Sequence, residues 1–276
     1  MSGHWRKLIK RFHPEGIPWP GSVFYNVLSG TEIFLRHYEL VAQDVARCGP
    51  AHCLLDIGTG PGRLLVAIRK TLPDTELVGV DISTAMVAQA ERNTKTYGQD
   101  SGINVGVADA NALPFADGTF DCVVSTGSLH HWKTPLQALS EAHRVLKVNG
   151  YALLYDLVRD MPRTIRDGIR AEFGTFRLTL LWLHSFEEPF LNVEEMVAVG
   201  RRTDFIVEGT RFAGVFCCLL LRKAPLPEPS TDRAGQSGDA GDSHGLAPDP
   251  SQDLVPAPGA CTGAGATLRA LVSKYQ

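Results

Sequence analysis

Apolar and polar positions follow two alternating patterns through the middle of the chain. Short continuous apolar runs predict buried β-strands at residues 52–57, 77–80, 103–108, 120–125 and 151–158. Apolar residues at helical spacing predict amphipathic helices over 33–47, from the glycine-rich turn to about 71, over 83–97, and from Thr134-Pro135 to the Asn149-Gly150 turn. Strands that alternate with such helices form a parallel sheet covered on both faces.

The pattern changes after the fifth strand. Residues 159–200 have helical spacing, and two further apolar runs at 205–209 and 215–221 predict two more strands. The connection between these two strands is too short for a parallel crossover, which needs about a dozen residues or more. We therefore expect an α/β fold with a mostly parallel seven-stranded sheet that ends in an antiparallel hairpin.

The two ends of the chain differ from this core. Residues 224–276 are rich in proline and glycine and nearly lack aromatic residues, which is typical of a disordered tail. Residues 1–49 are predicted to be a helical region, whose first part would carry Trp5, Leu8, Ile9 and Phe12 on one face and basic residues on the other. This first helix could dock on the domain, make transient contact with a membrane surface or an anionic substrate, or serve as a short targeting peptide.

Charge and cysteine pattern exclude several classes of protein. The chain has 27 basic and 30 acidic residues, and a net charge of -3 gives no general reason to expect a nucleic-acid partner. No apolar run reaches the ~18–20 residues that a membrane span needs. The six cysteines show neither a C-x-x-C pair nor the spacing of metal ligands, so no metal site is expected. A reducing, cytoplasmic location fits them best, and nothing in the sequence indicates the oligomeric state.

The segment LLDIGTGPG, residues 54–62, is the most informative part of the chain. Gly58, Gly60 and Gly62 stand between a strand and a helix, where glycine allows close approach of a ligand and the helix start offers free N–H groups. Asp81 ends the second strand, 19 residues after Gly62, where a carboxylate can accept both hydroxyls of a ribose. Asp109 ends the third strand beside the same crevice. The pattern predicts a nucleotide-like ligand at the carboxyl ends of the strands.

The details of this loop restrict the kind of nucleotide. The dinucleotide fingerprint G-x-G-x-x-G fails, because its third glycine falls on Arg63 when counted from Gly58. Pro61 also lacks an amide that could hold a pyrophosphate, and the chain contains no P-loop. Asp56 precedes the loop and could face a cationic amine. A ligand with an amino-acid end and a ribose therefore fits better than a pyrophosphate, and a nicotinamide dehydrogenase is the weakest hypothesis.

Four segments in this order, LLDIGTGPG, VGVDIS, ADANALPFADGTFD and EAHRVLKVNG, resemble the class I S-adenosylmethionine-dependent methyltransferases. The chain is most similar to the methyltransferase type 11 group, which includes ubiquinone/menaquinone-biosynthesis methyltransferase-like enzymes. The resemblance covers roughly residues 50–158. It implies S-adenosyl-L-methionine as cofactor and a Rossmann-like three-layer sandwich over residues 50–223, with a helical substrate cap at about 159–200.

The resemblance also implies which residues bind the cofactor. The glycine loop and Asp56 would hold the methionine part, Asp81 the ribose, and the residues after the second and third strands the adenine, while the end of the fourth strand would lie near the methyl group. Asp81 and Asp109 could instead be simple helix-start or turn residues, and Met86 could belong to the core. The full predicted set is Asp56, Ile57, Gly58, Thr59, Gly60, Gly62, Asp81, Ile82, Met86, Asp109, Ala110, Ser125 and Thr126.

The segment STGSLHHW, residues 125–132, follows the fourth strand at the crevice. Its His130 and His131 are the best acid/base candidates, because imidazole titrates near neutral pH, and type 11 members often have a histidine matching His131. Either histidine could instead pack the loop or line the substrate site.

The segment predicted as the cap contains aromatic residues, which indicate a partly apolar substrate. Its arginines at helical spacing could meet an anionic group or simply be solvated; they are Arg159, Arg163, Arg166 and Arg170. We expect methyl transfer to carbon or oxygen of a small, partly apolar acceptor. The alternatives are a cofactor-binding regulatory or scaffold protein without turnover, or an RNA methyltransferase that uses the basic N-terminus.

Overall fold

The computed structural model describes residue 26 and residues 29–95, 102–175 and 190–225. The predicted N-terminal amphipathic helix, the central part of the predicted cap and nearly all of the predicted tail lie outside the described residues. No helix in the described ranges is both long enough and apolar enough to cross a membrane. Within the same ranges, no group of three or more side chains is arranged to hold a metal ion.

Helices and strands follow one another along the described chain in the order that the sequence pattern predicts. In chain order they are α1 (Glu32–Ala46), β1 (Cys53–Ile57), α2 (Arg63–Thr71), β2 (Glu76–Asp81), α3 (Thr84–Lys95), β3 (Ile103–Val107), β4 (Phe120–Thr126), α4 (Pro135–Val145), β5 (Leu146–Asp156), α5 (Arg163–Phe173), α6 (Val193–Gly200), β6 (Phe205–Ala213) and β7 (Phe216–Lys223).

The strands form one seven-stranded sheet in the order β3-β2-β1-β4-β5-β7-β6. The pairs β3–β2, β2–β1, β1–β4 and β4–β5 are parallel, whereas β7 runs antiparallel to both β5 and β6. The strand order reverses between β1 and β4, and ligands of open α/β sheets bind at such a switch point, outside the carboxyl ends of the strands. The predicted fold class and terminal hairpin are confirmed.

Helices cover both faces of the sheet, because β1, most of β4 and the second half of β5 are buried. Helices α1, α2 and α5 pack on one face through residues such as Val41, Leu65 and Ile169. Helices α4 and α6 pack on the other face through residues such as Leu139 and Met196. The result is a three-layer sandwich whose core lies on both sides of the central strands.

The predicted end of α4 is wrong by four residues. The helix ends at Val145, and the chain enters β5 directly at Leu146, which pairs with Phe120 of β4. Asn149 lies inside β5 with a positive φ of 63°, where the pairing with β4 also shifts register. The Asn149-Gly150 dipeptide therefore kinks a strand instead of ending a helix, because burial of Leu146 against β4 starts the strand earlier.

Three of the cysteines that the structure describes are small buried core residues with free thiols. Cys122, Cys217 and Cys218 are buried free thiols, and Cys53 is also buried. Thr134 stands at the predicted start of α4, but its side chain does not cap the helix. Its hydroxyl instead donates to Asn111 Oδ1 at 2.6 Å.

Candidate functional site

A cavity opens at the carboxyl ends of β1 to β5, where the sequence predicts the ligand. Eleven of the predicted site residues line it: Ile57, Gly58, Gly60, Asp81, Ile82, Met86, Asp109, Ala110, Thr126, His130 and His131. Four other predicted site residues lie behind the cavity wall and do not line it: Asp56, Thr59, Gly62 and Ser125. The cavity therefore unites the glycine loop, the acids at the strand ends and the two histidines.

The glycine loop is fixed against the end of β2 by its own backbone. The amides of Gly58 and Thr59 both donate to the carbonyl of Val80, at 2.8 and 2.9 Å. Gly58 has a φ of 74°, and a Cβ at this position would lie 2.3 Å from Ser128 Oγ. Only glycine fits this backbone without strain or collision, so the loop can lie against the segment after β4.

Asp81 joins the loop to the cavity. One carboxylate oxygen accepts from the amide of Gly60 at 2.9 Å, and the other accepts from the amide of Ser83 at 2.8 Å. Burial raises the pKa of Asp81, while these two amides act in the opposite direction. A carboxylate has about four lone-pair positions, so Asp81 can hold the loop and still accept hydroxyl groups from a ligand.

Asp56 lies beneath the loop and not at the cavity wall. It is 1% exposed, and one of its oxygens accepts from Thr59 Oγ1 at 2.8 Å. The other oxygen has no partner among the described residues. Burial raises the pKa of Asp56 to about 7, and the nearby charge of Asp81 acts in the same direction. The sequence-based hypothesis that Asp56 faces a ligand amine therefore needs contact through the loop or through water.

The opposite wall of the cavity carries the residues predicted to meet an adenine. The apolar side chain of Ile82 is 41% exposed. Met86 is buried and contributes both to the core and to the cavity wall. Asp109 accepts from the backbone amide and from the side-chain amide of Asn111, both at 2.8 Å. Asn111 Oδ1 in turn accepts a hydrogen bond from the hydroxyl of Thr134. This network fixes the turn at the end of β3.

Of the two predicted residues at the end of β4, Thr126 lines the cavity and Ser125 does not. Its hydroxyl donates to the carbonyl of Ile57 at 2.7 Å and is buried between strands. Thr126 does line the cavity, and its hydroxyl is buried with no partner among the described residues. Ser128, which the sequence did not single out, also reaches the wall and donates to the carbonyl of Gly58 at 3.3 Å.

The two predicted histidines have different surroundings. His130 is buried, and its Nδ1 lies 2.9 Å from both carboxylate oxygens of Asp156, the last residue of β5. The ring of His131 lies 3.9 Å from that of His130, measured between centroids. Sequence reasoning missed Asp156, because the apolar run 151–158 placed it inside a strand.

The remaining wall is aromatic and apolar. It is formed by Phe34 and Tyr38 of α1, Trp132, Leu157, Phe190 and Phe216. The ring of Phe190 lies 4.2 Å from that of His130. The helical spacing of α1 indicated an apolar face but not which surface this face covers.

The predicted arginines of the cap do not line this cavity in the part of the chain that the structure describes. Arg159 forms an ion pair with Glu195, and Arg170 lies 3.9 Å from Asp167. Arg163 is exposed on α5. Arg159, Arg163 and Arg170 therefore support the interpretation of ordinary surface charges. Arg166 differs, because it is half-buried and its Nε is buried with no partner among the described residues.

Comparison with known proteins gives the same family as the resemblance of the four segments. A family model described as a methyltransferase domain matches residues 55–154. A demethylmenaquinone methyltransferase from Thermus thermophilus is 36% identical over 162 residues, which cover 53% of this chain and 73% of that protein. A second one, from Symbiobacterium thermophilum, is 32% identical over 147 residues, which cover 53% of this chain and 58% of that protein.

A solved structure agrees on the fold. A methyltransferase from Aquifex aeolicus that depends on S-adenosylmethionine superposes with a TM-score of 0.57 at 18% identity, over 72% of this chain and 96% of that one. Apart from the Thermus protein, the chain spans about half the length of the first curated relatives that it matches. The glycine loop, the acids that end β2 and β3, and these matches together show that the chain belongs to the class I S-adenosylmethionine-dependent methyltransferases, in the group of the ubiquinone/menaquinone-biosynthesis enzymes.

Proposed function

We propose that this protein transfers a methyl group from S-adenosyl-L-methionine to carbon or oxygen of a small, partly apolar acceptor. The observation that carries the proposal is the division of one cavity into two halves. One half has the polar groups that a nucleoside with an amino-acid end requires, and the other half is aromatic. The two halves meet at Thr126 and the histidines.

The residues of the polar half fit the cofactor. Asp81 keeps acceptor positions for the ribose hydroxyls after binding the Gly60 and Ser83 amides. The loop at Gly58 and Gly60 offers a close backbone approach for the methionine part. Ile82 offers an exposed apolar surface for the adenine. When bound, the cofactor supplies an activated methyl group, and the protein mainly has to align and desolvate the acceptor.

The turn at the end of β3 completes the polar half. Asp109 is held by Asn111 at the cavity wall, beside Ala110, where these residues would meet the adenine edge. Met86, which follows Ile82 in the sequence, also lines the cavity. The supporting residues Asp56, Thr59, Gly62 and Ser125 would act indirectly, by holding the loop and the strand ends in place.

The aromatic half supports a partly apolar acceptor. Rings at Phe34, Tyr38 and Phe216 would bury an apolar skeleton and exclude water from the reacting atoms. The names of the Thermus and Symbiobacterium relatives state that they act on demethylmenaquinone, which is an acceptor of this general kind. A small-molecule acceptor and a cytoplasmic location are part of the proposal. Contact of the predicted N-terminal helix with a membrane surface stays a prediction.

Calorimetric titration with S-adenosylhomocysteine, the demethylated cofactor, tests the proposal directly. We expect binding by the unchanged protein and affinity weaker by about 10²-fold or more in Asp81→Ala, because two hydrogen bonds to a charged group are lost. Asp81→Asn should fall between the two, since the amide keeps one acceptor oxygen. Asp167→Ala, an exposed acid on α5, is the matched control and should bind normally. Absence of binding by the unchanged protein would contradict the proposal.

Turnover is tested separately from binding. Protein with labelled S-adenosylmethionine should transfer label to a component of a quinol-containing lipid extract. A protein that binds the cofactor but labels nothing would match the regulatory or scaffold alternative. Retention on RNA at physiological salt, with label transferred to RNA, would instead favour the RNA methyltransferase.

A further inference from the structure

The rear of the glycine loop, Pro61 and Gly62, faces helix α3 and does not line the cavity. Both residues are buried. A Cβ on Gly62 would lie 3.1 Å from Ala90 Cβ, so the loop packs closely against α3. The carbonyl of Pro61 accepts a hydrogen bond from Asn93 Nδ2 at 2.7 Å. The front of the loop is therefore held by β2, and its rear is held by α3.

Asn26, which lies far away along the chain, completes the contact at the rear. Its side-chain oxygen accepts hydrogen bonds from Asn93 Nδ2 at 3.0 Å and from Arg63 Nη2 at 3.3 Å. Arg63 begins α2 and Asn93 lies on α3, so one amide oxygen joins these two helices directly behind the loop. Asn26 precedes residues 55–154, which the family model matches.

The donors and acceptors of this network fit together in one arrangement. A guanidinium group can only donate, so the atom of Asn26 that faces Arg63 must be the oxygen. The Pro61 carbonyl can only accept, so Asn93 must turn its amino group toward it. Arg63 Nε is already buried with no partner among the described residues. An apolar residue at position 26 would therefore leave donors of both Arg63 and Asn93 without their acceptor.

The backbone of Asn26 is fixed to the start of α1. Its carbonyl accepts from Ser29 Oγ at 3.1 Å and from the amide of Gly30 at 3.2 Å. Ser29 is fully buried, and α1 begins two residues after Gly30, at Glu32. Because α1 packs against α2, the position of Asn26 is set by packed structure and not by a free chain end.

We propose that Asn26 is a positioning residue for the cofactor, because it keeps the rear of the glycine loop in the conformation that binds the cofactor. This proposal rests on the cofactor of the proposed function and requires no particular acceptor. The loop needs such support, since Gly58, Gly60 and Gly62 all have positive φ and glycine has the greatest conformational freedom of all residues. Helix α2 also begins at this loop without a side-chain cap.

The rear of the loop determines the position of its front through one peptide bond. The amide of Gly60 donates to Asp81 at 2.9 Å. The next residue, Pro61, is the one whose carbonyl Asn93 holds. A shift of Pro61 therefore moves the amide that orients Asp81 toward the ribose. When only a fraction of the molecules has the loop in the binding conformation, the apparent dissociation constant rises by the inverse of that fraction. Loss of Asn26 should thus weaken cofactor binding without removing a group that lines the cavity.

Calorimetric titration of the full chain with S-adenosylhomocysteine measures this effect. Asn26→Leu keeps a similar volume but lacks the acceptor, and its affinity should be weaker by roughly 5–20-fold, the equivalent of one or two hydrogen bonds. Asn26→Asp keeps the acceptor and adds a negative charge beside Arg63 and the start of α2. It should therefore bind at least as tightly as the unchanged protein. Normal affinity in Asn26→Leu, or equal losses in the two variants, would overturn the proposal.

Hydrogen exchange of the cofactor-free protein reports on the loop itself. The amides of residues 58–60 bond to the Val80 carbonyl and to Asp81, so they exchange when the loop opens locally. A peptide that covers residues 58–62 should exchange faster in Asn26→Leu than in the unchanged protein and in Asn26→Asp. Peptides from α4, on the other face of the sheet, should exchange equally in all three proteins. Unchanged exchange of the loop in Asn26→Leu would contradict the proposed role.

Asn192→Ala is the matched control for a general loss of stability. Asn192 caps α6 and accepts from the amide of Glu195 at 2.7 Å, so its removal destabilises a helix far from the loop. This variant should melt at lower temperature and keep its affinity for S-adenosylhomocysteine. If its affinity falls as much as that of Asn26→Leu, the effect is one of stability and the positioning role is wrong.

A double-mutant cycle with Asn93→Leu tests the network. Asn26→Leu should weaken binding much less in the Asn93→Leu background than in the unchanged protein, and independent effects would overturn the proposal. If Asn26→Leu does not fold, Asn93→Leu decides alone: it removes the same contact from α3, and normal binding with normal loop exchange would overturn the proposal. If the unchanged protein does not bind S-adenosylhomocysteine, the proposed function itself fails.

Discussion

Replacing Gly58 with alanine tests whether the cavity depends on the close approach of the glycine loop to the segment after β4. Gly58 has a φ of 74°, and its new Cβ would lie 2.3 Å from Ser128 Oγ and 2.9 Å from Ser128 Cβ. A left-handed backbone costs a residue with a side chain about 1–2 kcal/mol. Overpacking adds about 1–3 kcal/mol. The free energy of unfolding should fall by about 2–5 kcal/mol.

The assay is thermal unfolding followed by circular dichroism. For a domain of this size, each kcal/mol shifts the midpoint by about 2–4 °C, so Gly58→Ala should melt roughly 4–20 °C lower. Gly118→Ala is the matched control, because Gly118 has a φ of 62° but nothing lies within 4 Å of its added Cβ. Gly118→Ala should lower the free energy of unfolding only by the cost of the left-handed backbone, about 1–2 kcal/mol.

A double-mutant cycle separates the collision from the backbone strain. Ser128→Gly removes both colliding atoms, so the double variant should recover about 1–3 kcal/mol relative to the sum of the single changes. Affinity for S-adenosylhomocysteine should follow the same order, since the collision moves the loop. Equal loss of stability in Gly58→Ala and Gly118→Ala, or the absence of coupling with Ser128, would refute this reasoning.

Two further predictions concern buried carboxylates. The pKa of Asp56 is raised from 3.8 to about 7 by burial, so its stabilising contribution is full below pH 4 and is lost as the pH rises through 7. That difference in the free energy of unfolding is on the order of 4 kcal/mol. Urea unfolding should show the free energy of unfolding of Asp56→Asn rising relative to that of the unchanged protein between pH 5 and pH 8. A difference between the two proteins that does not change with pH would contradict this. Tyr155→Phe should lower the free energy of unfolding by about 1–3 kcal/mol, because Asp44 is buried and accepts from the Tyr155 hydroxyl and from Arg211 Nε, both at 2.8 Å. The partly exposed Tyr151→Phe is its control, and equal losses in thermal melts would contradict the role of Asp44.

The polar half of the cavity could be predicted from sequence because its residues follow a rule of position. Gly58 and Gly60 lie after β1, while Asp81 and Asp109 lie at the ends of β2 and β3. In a parallel sheet these ends all lie at one edge, so knowing the strands places the side chains together. The sequence did not show that Asp56 is buried beneath the loop. The alternation that turns successive side chains to opposite faces of a strand does not indicate how much of them a following loop covers.

Asp156 follows the same rule and was still missed. The apolar run continues through Leu157 and Val158, which conceals the end of β5 at Asp156. Its partner His130 is 26 residues away along the chain. The pairing needs β4 and β5 to be neighbours, which strand adjacency shows and hydrophobic periodicity does not. A search for acids near every predicted strand end would have found it.

The aromatic half was beyond sequence reasoning for a different reason. Its rings come from elements outside the parallel strands, such as α1 with Phe34, and from β7. Because β7 is antiparallel to β5, the start of β7 lies at the carboxyl edge, and Cys217 pairs with Asp156. Phe216 therefore reaches the cavity from a strand far along the chain. The segments that resemble the family span roughly residues 50–158, so they contain neither Phe34 nor Phe216.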